Sequence, residues 1–557
     1  MKTTLTLSLW MLTFIVASAQ QLGNPLEFPM QLSGSFCELR GNHFHAGIDV
    51  RTQGTEGHPL HAVADGYISR ISVSPWGYGN AIYITHPADS LITVYGHLQA
   101  FNPDLTAILR AKQYAAESFV ADVNCNIPVK RGDLIGYSGN SGGSGGPHLH
   151  LEVRDLRNNM PLDPLEYYFI PDHRKPIVKG LMVCPVEGRG IANGSSSKQN
   201  IAFRNDKNDN PRILQPVEAW GEIGFSVRAV DRMDSTSFSY GIREISQVID
   251  SVEVFLSLTD RFALDRADCI NSCTDFEEWV MRGLFYIKTF TEPGNASHLV
   301  ASRRSGLLTV NEERTYNVII TLKDIRGNRT LIPLRIIGRK QEITPPDTIG
   351  TSLLRWYQPN TFIAPGLRLE TPENSLYSSL YMRYGSYYSS QYLSPVHVLH
   401  DRPVPLHAAA RLSIVADSLF PFANFKQLGL VRISERGDWP LWTGGVYVDG
   451  RVEASITRLG TYAIANDTKP PEIRPLSPDR WRALRRIDVR IGDDLSGIAT
   501  YRGEIDGNYA LFEYDGKKSL LTYHFDDDRL YPGYHHLRLT VTDACGNTSV
   551  YENAFTW

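Results

Sequence analysis

The sequence predicts a mainly β protein: a compact antiparallel β-sheet domain followed by three further β-rich modules. Three observations carry this prediction. Short runs of alternating apolar and polar residues, bounded by Gly, Asn, Asp and Pro, recur along the chain. Proline-containing stretches at Asp172-His173-Arg174-Lys175-Pro176-Ile177, Thr344-Pro345-Pro346-Asp347-Thr348 and Asp467-Thr468-Lys469-Pro470-Pro471 read as linkers, because proline favours extended connections and interrupts regular elements. At 557 residues the chain also exceeds the roughly 250–300 residues at which single cores stop growing. The expected divisions are 1–19 as a leader, 20–171 as the first domain, and 172–344, 345–466 and 467–557 as the modules.

The leader is read from Lys2, the apolar run Leu5 through Val16 and the small residues Ala17-Ser18-Ala19, the pattern of a cleaved secretory signal. Its apolar run is short for a membrane span of about 20 residues, and no later stretch is apolar enough for one. No cysteine follows the cleavage site, which argues against a lipid anchor there. The mature chain is expected to begin near Gln20 and to be exported, to the periplasm or to the outside of the cell. A net charge of -4 supplies no basic footprint for nucleic acid. Six cysteines, Cys37, Cys125, Cys184, Cys269, Cys273 and Cys545, enter a potentially oxidising space; Cys269 and Cys273 are close enough in sequence to pair, and the others have no assignable partner.

In the first domain, strands are expected at His61 to Ala64, Tyr67 to Val73, Asn80 to His86 and Leu91 to Tyr95. Two histidine signatures enclose them: Gly41-Asn42-His43-Phe44-His45-Ala46-Gly47-Ile48-Asp49 and Gly145-Gly146-Pro147-His148-Leu149-His150. Together they supply what a catalytic zinc site requires, three imidazole or carboxylate ligands and one open position. We assign His45, Asp49 and His150 as the metal ligands, with His43 as a competitor of His45. His148-Leu149-His150-Leu151-Glu152-Val153 alternates like a strand, so His148, His150 and Glu152 project from one face. His148 then stands beside the open position as a proton acceptor, and Glu152 can hold the ligand imidazole in one tautomer. His97, following Leu91 to Gly96, is expected to orient water or stabilise an oxyanion. His58, His61 and His86 are expected to be structural or to help orient neighbouring groups. Arg40, Asn42, Tyr78 and Asn80 either line a groove or cap turns.

The segment from about Phe36 to Val153 resembles the lysostaphin-like, LytM-type zinc endopeptidases. The resemblance rests on His45 to Asp49 as H-x-x-x-D, Ala62-Val63-Ala64-Asp65-Gly66 with Gly77-Tyr78-Gly79-Asn80, Tyr95-Gly96-His97-Leu98, and His148-Leu149-His150 as H-x-H. It covers roughly a quarter of the chain. It implies a zinc ion on His45, Asp49 and His150, His97 and His148 as catalytic histidines, and hydrolysis of peptide cross-links in bacterial peptidoglycan. The H-x-x-x-D spacing selects His45 over His43. A long insertion between His97 and Gly132 departs from the family pattern. Two other functions stay in view: a noncatalytic LytM-like regulator or scaffold of envelope hydrolases, and an exported peptidase acting on ordinary protein. The retained ligand residues speak against the former.

Beyond residue 172 one pattern occurs twice. Tyr316 to Leu322 leads into Asp324-Ile325-Arg326-Gly327-Asn328, and His536 to Val541 leads into Asp543-Ala544-Cys545-Gly546-Asn547. Upstream, Phe225 to Asp231 parallels Ile487 to Asp493. Both copies read as immunoglobulin-like β-sandwiches on strand and turn spacing, and contacts with envelope proteins are a possible role. The D-x-x-G-N turns read as hairpin turns in preference to calcium loops. The module between them is strand-rich and of unassigned family. Its Tyr377, Tyr381, Tyr384, Tyr387, Tyr388 and Tyr392 suit either a strand or stacking on sugar rings.

Overall fold

The computed structural model describes residues 22–234, 236–297, 299–300, 305–416, 424–437, 439–525 and 529–557. The expected leader and its cleavage site lie outside these residues. The fold is mainly β, and no helix among the described residues is long and apolar enough to cross a membrane.

The first domain is built on one antiparallel sheet. Its main strands are β1 (Leu32–Gly34), β2 (Ile48–Arg51), β3 (Gly66–Val73), β4 (Asn80–His86), β5 (Leu91–Leu98), β6 (Ala121–Val129) and β7 (His148–Asp155). They lie side by side in the order β1-β2-β7-β5-β4-β3-β6. The alternation of β7 sends Leu149, Leu151 and Val153 into an apolar core with Ile48, Val50, Ile82, Ile84 and Tyr95, all fully buried. The opposite face of the same strand carries His148, His150, Glu152 and Arg154. That face is covered too, so Glu152 and Arg154 are buried charges and must be paired.

The insertion after His97 forms the helix α1 (Pro103–Ala116). Asn102 caps it, its side chain accepting from the Leu105 amide, Pro103 occupies the first turn, and Glu117 closes the last turn in the left-handed region. Leu105, Leu109 and Gln113 face inward.

Each later module has its own core. In residues 177–338 nine strands join into one continuous sheet, with a separate two-stranded hairpin of Phe203–Asn205 and Pro211–Ile213 beside it. The joint is the long antiparallel pair Ile177–Ala192 and Val217–Val230, whose register slips between Pro185 and Gly190 and lets one ribbon serve both halves. The middle module combines a six-stranded and a five-stranded sheet, and the last places two four-stranded sheets on one core centred on the buried Trp481. The three proline-containing linkers carry no regular element through their prolines. All six cysteines are thiols. Cys269 and Cys273 sit one helical turn apart, and the Cys273 sulfur is engaged instead by Asn295 and Ser297. Of the six tyrosines in the middle module, Tyr377 and Tyr392 are buried and Tyr387 and Tyr388 exposed, the pattern of a strand and its flanks without a common stacking face.

Within the first domain, Tyr95 is fully buried and its hydroxyl accepts from the Val63 amide at 3.0 Å. Tyr95→Phe leaves that buried N–H unpaired. It should lower the stability of the sheet by about 1–3 kcal/mol, read from native-state hydrogen exchange of the β4 and β5 amides; unchanged exchange would contradict this.

Candidate metal centre

Backbone pairing brings the two histidine signatures together. β2 pairs with β7 so that Asp49 lies opposite His150, and β7 pairs with β5 so that His150 lies opposite Gly96. His45, one turn before β2, reaches the same point. Gly47 makes this approach possible: a Cβ there would stand 2.4 Å from the Leu151 carbonyl oxygen. His97 is held at φ 63°, in the left-handed region, although it lies within β5. Such a conformation is sparsely populated for a non-glycine residue and turns its ring toward the cluster.

The resulting constellation is tight. Asp49 Oδ1 lies 3.0 Å from His45 Nε2, 3.1 Å from His150 Nδ1 and 3.3 Å from His148 Nε2, and the two ligand nitrogens are 3.0 Å apart. The His97 ring centroid is 4.8 Å from that of His148 and 5.7 Å from that of His150. His45, Asp49, His97 and His150 are buried and His148 is partly so.

Each imidazole is anchored by its outer nitrogen. His45 Nδ1 bonds the Ser35 carbonyl at 2.7 Å, His97 Nδ1 the Ser141 carbonyl at 2.9 Å, and His148 Nδ1 the Gly146 carbonyl at 2.8 Å. His150 Nε2 bonds Glu152 Oε1 at 2.9 Å. Carbonyl and carboxylate oxygens only accept, so each outer nitrogen carries the proton and each inner nitrogen presents a lone pair. The lone pairs of His45, His148 and His150 thus converge within 3.3 Å of one Asp49 carboxylate oxygen, and the His97 ring packs beside them. Such a donor set fits a borderline-soft cation such as zinc.

The electrostatics agree. Burial opposes ionisation of Asp49, yet the surrounding histidines hold its carboxyl well below the usual range. Glu152, wholly buried, is held at about 2 against the burial penalty by its bonds to His150 and Arg154. His97 is pushed down to about 3 by burial and by the neighbouring His150 and His148, which keeps its ring neutral. Burial would lower His150, but its bonds to Asp49 and Glu152 outweigh this and raise it to about 9. Glu152 is already paired with Arg154, so Asp49 is the carboxylate that favours a positive charge, proton or cation, among the histidines.

Two groups that bear on the site, Arg154 and Glu38, escaped the sequence reading. Arg154 donates from Nε to Glu152 Oε2 at 2.6 Å and from Nη2 to the Tyr78 hydroxyl at 3.2 Å, clamping the carboxylate behind His150. Arg40 Nη2 bridges Asp49 Oδ2 and Glu38 Oε2. Continuing the alternation of β7 by two more residues finds Arg154; Glu38 has no such signal. Tyr78 packs against His150, with ring centroids 5.4 Å apart. Asn80 instead ties the chain, donating to the Leu98 carbonyl, and Asn42 is exposed at the tip of its turn. His43 points to the Gly41 carbonyl, His58 to Thr55, His61 to Gly132, and His86 is buried between Asp65 and Thr93. None of these four joins the cluster.

The last module closes on the glycine-rich loop before β7. Lys517 Nζ donates to the Asn140 carbonyl, to Asn140 Oδ1 at 3.1 Å and to the Ser144 carbonyl at 3.0 Å. Trp76 meets Tyr514 edge-on, Tyr114 meets Tyr509, and Arg502 pairs with Glu117 at 2.6 Å at the end of α1. The insertion helix is therefore part of the seat for the last module.

Comparison with known proteins agrees with this geometry. Residues 43–164 match peptidase family M23, and residues 351–467 match the Zu5-like domain, which supplies a family for the middle module. A DD-carboxypeptidase/endopeptidase, Mpg, of Neisseria meningitidis serogroup B is 36% identical over 121 residues, which are 22% of this chain and 22% of that protein. The glycyl-glycine endopeptidase ALE-1 of Staphylococcus capitis is 28% identical over 142 residues, 25% of this chain and 31% of the relative. Among solved structures, the catalytic domain of lysostaphin from Staphylococcus simulans is 24% identical, covering 25% of this chain and 88% of that one, with a TM-score of 0.19. The chain thus spans about a fifth to a third of the length of these curated relatives. Residues 43–164 are a peptidase family M23 domain within a longer, mainly β chain.

Proposed function

We propose that the protein is an exported zinc endopeptidase that hydrolyses peptide cross-links of bacterial peptidoglycan. The observation that carries this reading is the convergence of the His45, His148 and His150 lone pairs on Asp49 inside an M23 domain, with the His97 ring beside them. His45 Nε2, Asp49 Oδ1 and His150 Nδ1 would hold the metal. A bound zinc ion supplies Lewis acidity, polarising a carbonyl and acidifying water toward a pKa of about 7.

The remaining roles follow from protons. His148 has its Nδ1–H committed to Gly146, so its Nε2 accepts the proton of the water that attacks the peptide carbonyl and later returns it to the leaving amine. His97 is neutral, with Nδ1–H committed to Ser141 and a lone pair at Nε2. An acceptor cannot stabilise an oxyanion by donation, so its tautomer favours orienting the water. Glu152, backed by Arg154, fixes the His150 ring and raises its basicity as a ligand. The catalytic domain, the 172–344 module, the Zu5-like region and the last module serve as successive units. The last would position or restrain the active site through Lys517 and Trp76.

Incubating the purified mature chain with peptidoglycan and identifying released muropeptides by mass spectrometry tests the reading. Cleaved cross-links are expected, at a rate well above that on a general protein substrate. Release should cease on chelation and fall by about 10²–10⁴-fold in His148→Ala. Release that survives both would contradict it. Glu152→Gln should weaken zinc affinity by about 10–100-fold, measured by competition with a chelating dye; unchanged affinity would remove Glu152 from that role.

A further inference from the structure

Apart from the metal centre, the duplicated pattern of the second and last modules assembles the same polar cluster twice. In one copy Asp172, Asp231 and Asp324 each bring a carboxylate oxygen within 4.8 Å of the others; in the second copy Asp467, Asp493 and Asp543 do the same. The members correspond. Asp172 and Asp467 come from the linker entering the module, Asp231 and Asp493 from the end of the paralleled strand, and Asp324 and Asp543 open the D-x-x-G-N turn.

The turns alone account for part of this. Asp324 Oδ1 accepts from the amides of Arg326 and Asn328, and Asp543 Oδ1 from those of Cys545 and Asn547. Asn328 and Asn547 donate from Nδ2 to the carbonyls of Asp172 and Asp467, pinning each linker to its turn. Turn geometry also holds Asp493, whose Oδ2 accepts from the Leu495 and Gly497 amides, but it leaves one oxygen of Asp231 and one of Asp493 without a partner. Asp231 is only 3% exposed, its neighbours Asp172 and Asp324 are also buried, and its Oδ1 has no hydrogen-bond partner. The equivalent atom, Asp493 Oδ1, is likewise buried without a partner.

A buried carboxylate oxygen without a partner is rare and costly, and here it recurs at matching positions of two modules. The charges facing Asp231 are Asp324 and Asp172, with Arg174 opposing them; those facing Asp493 are Asp467 and Asp543. Burial and these like charges push the Asp231 carboxyl up to about 8.

We propose that each triplet holds one divalent cation, calcium by its chemistry, which clamps the incoming linker to the module. All the side-chain donors are oxygens, which suits a hard cation and not zinc, a metal favouring nitrogen and sulfur. Calcium–oxygen distances of about 2.3–2.6 Å place ligands up to about 5 Å apart across the ion, which the observed spread accommodates. Magnesium, at about 2.0–2.1 Å, demands a tighter octahedron. The first site lies against the catalytic domain, since Arg326 in the same turn donates to the Leu165, Tyr168 and Ile170 carbonyls. Calcium there would stiffen the joint between that domain and the modules behind it.

The test uses the full mature chain, freed of divalent ions and reloaded with zinc. Equilibrium dialysis against radioactive calcium, at concentrations reaching those that fill weak extracellular sites of about 10⁻³ M, should find two ions per chain, one for each triplet. Asp231→Asn and Asp493→Asn should each remove one, and His45→Ala neither. Calcium, but not magnesium, should raise the melting midpoint of the wild type, which gives a readout independent of whether a variant folds. A wild-type chain that binds no calcium and melts unchanged would overturn the proposal. So would binding that both Asn variants, shown to be folded, leave intact.

Discussion

Asp49 Oδ1 is the point on which the first domain turns. A single buried carboxylate oxygen stands within 3.3 Å of nitrogens from His45, His148 and His150. Their outer nitrogens are all committed elsewhere, which leaves lone pairs directed at one another. Lone pairs at 3 Å without a proton or cation between them repel in a medium of low dielectric. The arrangement is stable only with positive charge at its centre, so the surrounding structure can be understood as holding these groups together against that repulsion.

The sheet supplies the restraint. β2, β7 and β5 are neighbours, so the register that pairs Asp49 with His150 and His150 with Gly96 is fixed by the apolar residues on the opposite face. A slip of one residue would exchange the histidines for Leu149 and Leu151 and lose both site and core. Behind the ligands, Glu152 and Arg154 extend the polar face as a buried, mutually satisfied pair. On the rim, the glycine-rich loop provides two carbonyl anchors and receives Lys517 from the last module. The same loop thus orients the catalytic histidines and contacts a module encoded nearly 400 residues later.

What the sequence made legible were features with short-range periodicity. The i, i+2 spacing of His148, His150 and Glu152 put all three on one face, and the structure has them there. The first domain's strands at Tyr67 to Val73, Asn80 to His86 and Leu91 to Tyr95 were visible by alternation, whereas the run expected from His61 to Ala64 is a strand of Pro59–His61 that ends in a bend. The helix α1 was not, because only Leu105 and Leu109 among its apolar residues turn inward and Gln113 completes the face; Asn102-Pro103 was its available signal. Cys269 and Cys273 are close enough in sequence to pair, yet they sit one helical turn apart and both are thiols. The single nine-stranded sheet of 177–338 depends on one long bent ribbon, a tertiary property that strand counting does not see. The aspartate triplets were half-visible: the turn signature was readable, but the linker and strand-end members meet it only through folding.

The most direct measurement of the central claim is the metal content of the purified, folded mature chain, paired with anomalous X-ray scattering at the zinc edge. One zinc ion is expected between His45, Asp49 and His150, and it should be absent from Asp49→Ala with the β-sheet circular dichroism preserved. A well-folded wild-type protein that carries no metal at that point after zinc is supplied would contradict the account.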